Sequence, residues 1–232
     1  MNNQVLILGA AGRFGLAAVR AFSAAGWQVV GQIRPTRDRS ALPMLAGVTW
    51  LPCELSDGQG LRAGALGSEV VVHALNPPYT NQAWISEAPR MMQAAIDIAT
   101  ALGATLMLPG NVYNFGEEMP DELLEDTLQT ASHAKGKVRI ALERQLAAAT
   151  EMGKLRAIVI RAGNFFGAGR GSMFDQSLVK DLPKGKITVL GEKDVAPPPG
   201  LICRIWLKPS CDWRSAAHSC RPSRCSTLPD IA

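Results

Sequence analysis

The chain has 232 residues, of which 47% are hydrophobic and 19% are charged, and this balance excludes a disordered polymer and fits a soluble domain with a sizeable core. Its net charge of +4 is too small to indicate a nucleic-acid-binding surface. The first apolar run is too short for a signal peptide or a membrane span. We therefore expect a cytoplasmic protein that binds neither nucleic acid nor a membrane.

The first residues predict a strand, a glycine turn and a helix in direct succession. Residues 4–8 are a short apolar run, Gly9, Gly12 and Gly15 follow at a spacing of three, and an alanine-rich stretch continues to Ala25. In a dinucleotide fingerprint the first glycine permits a tight turn, the second lets backbone N–H groups approach a pyrophosphate, and the third lets the helix pack on its strand. The helix N-terminus adds a partial positive charge. This context favours a bound dinucleotide over a purely structural turn.

A basic residue follows the second predicted strand, residues 27–33. Sites that prefer NAD usually place an acidic residue near this point, about 20 residues past the glycines. This chain has Arg34 instead, with Arg37 following it and Arg13 inside the glycine loop. Arginine grips phosphate through parallel charge-assisted hydrogen bonds, so these residues favour NADP, with its 2′-phosphate, over NAD as the cofactor. For Arg37 and Arg39 a solvated loop is an equally good interpretation.

Strand and helix patterns alternate along the rest of the chain. Further strands are predicted at residues 48–51, 69–74, 104–108, 155–160 and 187–190, and long helices at residues 80–102 and 133–152. The spacing of Ile85, Met92, Ile96 and Ala99 indicates the core face of the first of these helices. The alternation predicts an α/β fold, a Rossmann-like doubly wound parallel sheet with helices on both faces. A loop rich in glycine and aromatic residues, 161–170, follows a strand end, where open α/β sheets bind ligands.

The cysteines are unevenly distributed. Cys53 stands alone, whereas Cys203, Cys211, Cys220 and Cys225 crowd into the last thirty residues. They include no CxxC pair and match no zinc spacing, so we expect no metal site.

The order and spacing of these motifs resemble the extended short-chain dehydrogenase/reductase superfamily, in particular its NAD-dependent epimerase/dehydratase group. The resemblance covers residues 4–194 and is carried by the glycine loop at 9–15, by residues 71–74 and 111–113, and by the loop at 161–169. It implies hydride transfer through a nicotinamide cofactor and a small-molecule carbonyl or nucleotide-sugar-like substrate. The resemblance is also compatible with a homodimer.

Carried over position by position, the resemblance assigns residues to the cofactor and to the substrate. Together with Arg34, the cofactor-binding residues are Gly9, Ala11, Gly12, Arg13, Phe14, Gly15, Glu54, Leu55, Ala74, Leu75, Asn76 and Arg139. Of these, Glu54 and Leu55 would frame the adenine, and residues 74–76 would border the nicotinamide ribose. The residues assigned to the substrate are Asn111, Asn164 and Phe165.

The catalytic residues of the family are replaced in this chain. Family enzymes use a Ser or Thr before the Val-Tyr pair and a Tyr-x-x-x-Lys on the next helix. The best alignment puts Pro109 at the hydroxyl position, Lys135 at the tyrosine position and Arg139 at the lysine position. A second register, His133 with Lys137, retains a titratable group and a lysine at the right separation. In neither register does the standard proton relay carry over.

Other residues could take over the chemistry. Tyr113 could donate a proton, Lys135 could act as acid or base if burial and its cationic neighbours lower its pKa, and Arg139 could still hold the ribose. His73 is better interpreted as a packed strand residue. Two functions follow: an NADP-dependent oxidoreductase or epimerase, and a catalytically silent NADP(H)-binding sensor or interaction protein. Substitution at all three catalytic positions favours the second function more than any single loss would, and the fold cannot decide between the two.

The character of the sequence changes near residue 195. Residues 1–194 read as the dinucleotide-binding domain, whereas residues 195–232 carry prolines, cysteines and tryptophans without helical or strand periodicity, and we expect them to be irregular. When the codons are read one base out of frame, residues 199–215 can encode WAYLPDLAQAFVRLAE, an amphipathic helix that resembles the family's continuation here. We infer a frameshift near residue 195 that leaves the C-terminal substrate lobe incomplete.

This frameshift can be tested on the gene. The expected result is a nucleotide sequence downstream of codon 194 whose shifted frame continues the family pattern, because the proposed helix requires specific codon choices between residues 199 and 215. Sequencing the gene decides the matter, and codons incompatible with that reading would rule out the frameshift.

Overall fold

The computed structural model describes residues 3–120, 122–166 and 200–202. Six strands in this part of the chain form one parallel sheet in the order β3-β2-β1-β4-β5-β6. They are β1 Gln4–Leu8, β2 Gln28–Ile33, β3 Val48–Pro52, β4 Val70–His73, β5 Thr105–Asn111 and β6 Arg156–Ala162. This order, with its reversal between β1 and β4, is that of a Rossmann-like doubly wound sheet, which confirms the predicted fold class.

Four helices connect the strands of the sheet. They are α1 Arg13–Ala24, α2 Gly58–Gly64, α3 Asn81–Leu102 and α4 Ala134–Glu151, and a 3₁₀ turn spans Tyr113–Phe115. None of the helices in the described ranges has the length and apolar character that a membrane crossing needs.

The core lies on both faces of the sheet because alternate side chains of each strand point to opposite faces. Leu6 and Leu8 of β1 belong to the cluster that packs against α2, α3 and α4. Val5 and Ile7 belong to the cluster that packs against α1. All four side chains are fully buried, which explains why β1 reads as a continuous apolar run in the sequence.

Helix α3 begins and ends where its sequence predicts. Thr80 caps its N-terminus by accepting a hydrogen bond from the Ala83 N–H at 3.2 Å, and Gly103 ends it in the left-handed conformation, with φ of 65°. The predicted core face is wrong at Ile85, which is 59% exposed. Trp84 fills the contact at this end of the helix instead. Periodicity gives the angle of a residue about the helix axis, but it does not show whether a neighbouring element reaches that turn.

Strand β5 is longer than predicted and includes Pro109. Its pairing with β4 ends at Val72 and Met107, whereas its pairing with β6 continues to Asn111. Thr105 donates its N–H to Glu69 on the β4 side, and alternate residues repeat that direction, so Pro109 also faces the β4 side. The carbonyl opposite Pro109 would be that of His73, the last residue of β4, which lies beyond the paired residues, so the proline without an N–H stands at the end of this ladder.

The predicted loop at 161–170 begins later than expected. Arg161 and Ala162 still belong to β6, and a further strand, β7 Asn164–Phe166, pairs in parallel with β8 Gly200–Ile202. Of residues 195–232, expected to be irregular, these three are extended and the others lie outside the described residues. The predicted strand at 187–190 and the four clustered cysteines also lie outside them. The frameshift therefore stays a prediction.

His73 is a buried polar residue on β4. Its side chain is 6% exposed, and neither ring nitrogen has a hydrogen-bond partner among residues 3–120 and 122–166. Burial lowers the pKa of His73 from 6.5 to about 4, the charge of Arg139 acts in the same direction, and the ring's own backbone opposes the shift in part. The histidine is therefore neutral at pH 7, in keeping with a packed strand residue.

The burial of His73 predicts acid sensitivity. In the unfolded chain this imidazole becomes protonated below pH 6.5, whereas in the folded chain it becomes protonated only below about pH 4. The free energy of unfolding therefore falls as the pH falls through this window. The free energy of unfolding should drop by up to about 3 kcal/mol from this group. Urea denaturation at several pH values should show a flatter profile for His73→Leu. The control is His133→Gln, at an exposed histidine, which should leave the profile unchanged. Equal slopes for wild type and His73→Leu would contradict the prediction.

Candidate functional site

The candidate site lies along the carboxyl ends of the parallel strands. The sheet reverses its order between β1 and β4, and ligands of open α/β sheets bind at such a switch point. The segments that follow β1, β2, β3, β4 and β5 along this edge carry the site residues predicted from sequence, while Lys135 and Arg139 come from α4. The sheet thus brings together residues that are far apart in the chain.

The glycine turn between β1 and α1 depends on the absence of side chains. Gly9 has φ of 74°, a left-handed conformation that disfavours any residue with a side chain. A Cβ on Gly15 would collide with the Gly9 carbonyl oxygen and would lie 2.8 Å from the Ala10 Cα. A Cβ on Gly12 would lie 3.2 Å from the same Gly9 oxygen. The three glycines therefore let α1 start directly against the end of β1.

Gln32 supports this turn from β2, a role that the sequence analysis missed. Its side chain is 3% exposed, and its Oε1 accepts a hydrogen bond from the Gly9 N–H at 2.9 Å. Its Nε2 donates to the Cys53 carbonyl at 2.7 Å, and its own carbonyl accepts from the Ala10 N–H at 2.9 Å. The available signal was a polar residue inside an apolar strand, which must find buried partners.

The residues of the turn fit a dinucleotide pyrophosphate. Helix α1 starts at the turn with neither a side-chain cap nor an acidic residue in its first turn, so its positive end meets no carboxylate of its own. Ala11, Arg13 and Phe14 line the same turn and are partly exposed, whereas Gly15 is buried behind them. Backbone N–H groups, a helix terminus and missing Cβ atoms are what close approach of a phosphate requires.

Two arginines lie near this turn. Arg13 is the first residue of α1, and its Nε is buried without a hydrogen-bond partner in the described part of the chain. Arg34 is exposed and directly follows β2. It comes two residues after Gln32, whose side chain binds the glycine turn, so the backbone at Arg34 lies close to that turn.

The other predicted cofactor residues follow β3 and β4. Glu54 is exposed, and Leu55 is partly buried against the core. Ala74 donates its N–H to the Leu8 carbonyl at 3.0 Å, which places this residue beside the end of β1. Leu75 is partly exposed, and Asn76 is exposed.

A cluster of aromatic and cationic side chains lies at the other half of the edge. The hydroxyls of Tyr79 and Tyr113 are 2.6 Å apart, and we call these two residues the tyrosine pair. Lys135 donates a hydrogen bond to Asn81 Oδ1 at 3.1 Å, and its Nζ lies 4.2 Å from the centre of the Tyr79 ring. The indole of Trp84 contacts both tyrosine rings, with centroids 5.9 and 6.5 Å away.

Arg139 borders a small pocket beside this cluster. Its guanidinium lies over the Trp84 ring, 4.9 Å from the centroid, and the pocket is also lined by His73, Asn76 and Leu108. Although Arg139 is partly exposed as a residue, its Nε is buried, and burial lowers its pKa, against the opposing effects of Glu143 and the tyrosine pair. Nitrogens of His73, Trp84 and Arg139 lack partners within the described ranges, so the pocket could receive a polar group.

Asn111 sets the position of Tyr113. Its side chain is 8% exposed, and its Oδ1 accepts a hydrogen bond from the Tyr113 N–H at 3.1 Å. This contact starts the 3₁₀ turn directly after β5. Asn111 thus fixes the position of one member of the tyrosine pair. For Asn164 and Phe165 the structure describes a place in β7 only.

Helix α4 is held against the 3₁₀ turn at a glycine. A Cβ on Gly136 would collide with the Ala131 side chain and would lie 2.5 Å from the Tyr113 carbonyl oxygen. The helix begins after His133, which is exposed and whose ring makes an edge contact with Tyr113 at 6.1 Å. The close backbone contact fixes the distance between Tyr113 and the side chains of Lys135 and Arg139.

An ion pair anchors the middle of α4 to β6. Glu143 accepts a hydrogen bond from Arg161 at 2.6 Å, and it also accepts one from Gln129 at 2.8 Å. Gln129 accepts in turn from Asn114, which is fully buried in the 3₁₀ turn. Breaking a buried pair of this kind typically costs about 3–5 kcal/mol, because it leaves one charge buried without its partner.

The fold and this site can be compared with known proteins. A family model described as the NAD dependent epimerase/dehydratase family matches residues 5–194. A comparison with curated proteins gave no match. A solved putative epimerase from Burkholderia cenocepacia is 22% identical, with a TM-score of 0.72, over 93% of this chain and 72% of that one.

Two further solved structures are similar. A UDP-galactose 4-epimerase has a TM-score of 0.78 and 17% identity, over 94% of this chain and 74% of that one. The UDP-glucose 4-epimerase from Brucella ovis, solved in complex with NAD, has a TM-score of 0.73 and 15% identity, over 89% and 71% of the two chains. These likenesses establish the shared fold, and the family model spans most of the sequence. The chain therefore belongs to the NAD-dependent epimerase/dehydratase family.

Proposed function

We propose that this protein binds a nicotinamide dinucleotide, with NADP preferred over NAD, and acts as an oxidoreductase or epimerase on a small carbonyl or nucleotide-sugar-like substrate. The observation that carries the proposal is the glycine turn at the end of β1, where Gly15 leaves no room for a Cβ and α1 begins without an acidic residue. Membership of a family whose description is NAD-dependent supports it.

Residues from five segments would hold the cofactor. The turn from Gly9 to Gly15 would bind the pyrophosphate, Arg13 and Arg34 the 2′-phosphate, and Glu54 with Leu55 the adenine. Residues 74–76 and Arg139 would border the nicotinamide ribose. When bound, the cofactor supplies hydride transfer at the nicotinamide C4. Asn111, Asn164 and Phe165 stay the proposed substrate contacts.

The proposed substrate class is based on the similar structures and not on the shape of the pocket. Two of the similar structures are UDP-sugar 4-epimerases by their descriptions, so a nucleotide-sugar-like substrate belongs to the proposal. Trp84, Arg139 and the tyrosine pair supply aromatic faces and polar groups that suit a sugar or a small carbonyl compound.

A second candidate function is a catalytically silent NADP(H) sensor. It is favoured by Pro109, Lys135 and Arg139 at the positions where the family carries its hydroxyl, tyrosine and lysine. Protein that binds NADPH but oxidises none of it across a panel of aldehydes, ketones and UDP-sugars would favour the sensor. Turnover that disappears in Lys135→Ala or Tyr113→Phe would favour the enzyme.

Dinucleotide binding can be tested at Gly15. Gly15→Ala should weaken NADPH binding by about tenfold or more, because the added methyl group pushes α1 away from the Gly9 carbonyl. Titration of NADPH fluorescence measures the dissociation constant. Gly58→Ala is the matched control, since its Cβ would meet no atom within 4 Å and its φ is not positive. If wild type and Gly15→Ala bind NADPH with equal affinity, the glycine turn does not bind the dinucleotide.

The cofactor preference can be tested at Arg34. Arg34→Ala should raise the dissociation constant of NADPH by about tenfold and leave that of NADH nearly unchanged, because a charge-assisted bond to the 2′-phosphate contributes roughly 1.5–3 kcal/mol. The control is Arg39→Ala, at an exposed arginine of the following loop. If both dinucleotides lose affinity equally, or wild type prefers NADH, the NADP assignment is wrong.

A further inference from the structure

The tyrosine pair is the most unusual feature of the site. Tyr79 and Tyr113 are the only two tyrosines of the chain, and their hydroxyl oxygens lie 2.6 Å apart. Tyr79 directly precedes the N-cap of α3, whereas Tyr113 starts the 3₁₀ turn after β5. Two separate elements therefore hold the hydroxyls in contact. Nothing in the family resemblance singles out Tyr79.

The hydroxyl of Tyr79 lies in an environment that disfavours its ionisation. Burial of the hydroxyl raises the pKa of Tyr79, and the hydrogen bond and charge of Tyr113 raise it further, although the residue as a whole is 57% exposed. Either hydroxyl can donate the shared hydrogen bond. When Tyr79 is the donor, the proton of Tyr113 is free to point towards another acceptor.

Cationic groups face the pair from α4. Lys135 lies over the Tyr79 ring, and the charge of Arg139 lowers the pKa of Tyr79 against the effect of burial. A negative charge on either tyrosine raises the pKa of Arg139 in return. His133 contacts the Tyr113 ring from the start of the helix. A phenolate formed in the pair would thus meet a donor and a guanidinium charge.

We propose that the tyrosine pair is the proton donor of this protein: Tyr113 protonates the substrate oxygen, and Tyr79 is a positioning residue that holds the Tyr113 hydroxyl and stabilises its phenolate. The place of the pair supports this assignment. Trp84 contacts both tyrosines, and Trp84 also lines the pocket with Arg139 and Asn76. The pair does not line this pocket itself, but through Trp84 it lies next to the pocket that the proposed function assigns to the nicotinamide end of the site.

The proposed step balances. In the reductive direction the carbonyl carbon of the substrate accepts a hydride from the reduced dinucleotide, and the electron pair of the C=O π bond moves to oxygen. That oxygen takes the proton from Tyr113 Oη, so an alcohol and a Tyr113 phenolate are formed. The phenolate accepts the hydrogen bond of Tyr79 and regains a proton from solvent. Oxidation runs the same transfers in reverse.

This inference rests on the proposed function for its reductant, but the pair itself can be measured without any substrate. Because the chain has only two tyrosines, the near-ultraviolet absorbance of tyrosinate reports the pair alone in the full-length protein. The two phenols should ionise in two separated steps. Tyr79→Phe should move the first ionisation upward by about one pH unit or more, because a hydrogen bond to a charged group contributes roughly 1.5–3 kcal/mol.

Control variants separate the pair from general effects of charge. Lys135→Met should also raise the first ionisation, whereas Lys137→Met, at an exposed lysine on the same helix, should not. Far-ultraviolet circular dichroism at each pH monitors folding. If the chain unfolds before the phenols ionise, fluorotyrosine incorporation lowers their ionisation pH, and ¹⁹F NMR follows the two signals separately. Independent titration of both phenols, with the same midpoint in wild type and single variants, would contradict the proposed coupling of the two tyrosines.

Catalysis is measured on the same variants. With any carbonyl that the wild type reduces with NADPH, Tyr113→Phe should lower kcat by about a hundredfold or more. Tyr79→Phe should lower kcat less, with KM nearly unchanged, and should shift the pH profile upward together with the tyrosinate titration. Full activity of Tyr113→Phe, or NADPH binding without turnover across the panel, would overturn the catalytic role. Failure of NADPH to bind would instead reject the proposed function and leave the titration result intact.

Discussion

The contact between Gly15 and the carbonyl of Gly9 is the constraint on which the rest of the site depends. It brings the first turn of α1 against the end of β1 so closely that no side chain fits between them. Because β1 lies at the centre of the sheet, this contact also sets the position of the helix terminus relative to β2 and β4. Gln32 strengthens the arrangement from the neighbouring strand, with both ends of its amide engaged. Binding at this edge is thus built from backbone geometry more than from side-chain chemistry.

The two halves of the carboxyl edge have different characters. Around β1, β2 and β3, the turn, its glycines and its supporting glutamine agree with what dinucleotide binding requires. Around β5, α3 and α4 lie Pro109, Lys135 and Arg139, which the sequence alignment predicts to occupy the catalytic positions of the family. Pro109 lies beyond the last paired residues of β4 and β5, where a residue without an N–H donor is tolerated. The two halves of the edge are thus built from different elements of the fold.

Much of the fold could be predicted from sequence because most strands are largely apolar runs and the long helices between them show helical patterns. The glycine turn could be predicted for the same local reason. Contacts that join distant segments could not. Tyr79 and Tyr113 are 34 residues apart, and nothing in either segment indicates that their hydroxyls meet. Ile85 shows the same limit, since helical spacing cannot tell that Trp84 fills the contact at that turn. Gln32 could be recognised in the sequence as a polar residue in an apolar strand, but the sequence does not indicate which groups it binds.

Gly136 has a consequence for positions 135 and 139 of the same helix. The backbone contact at this residue seats α4 on the 3₁₀ turn, and the ion pair between Glu143 and Arg161 holds the helix from its middle. Neither anchor involves positions 135 and 139. The seat of α4 on the 3₁₀ turn and on β6 is therefore independent of positions 135 and 139, whose side chains contact Asn81 and Trp84 of α3 instead.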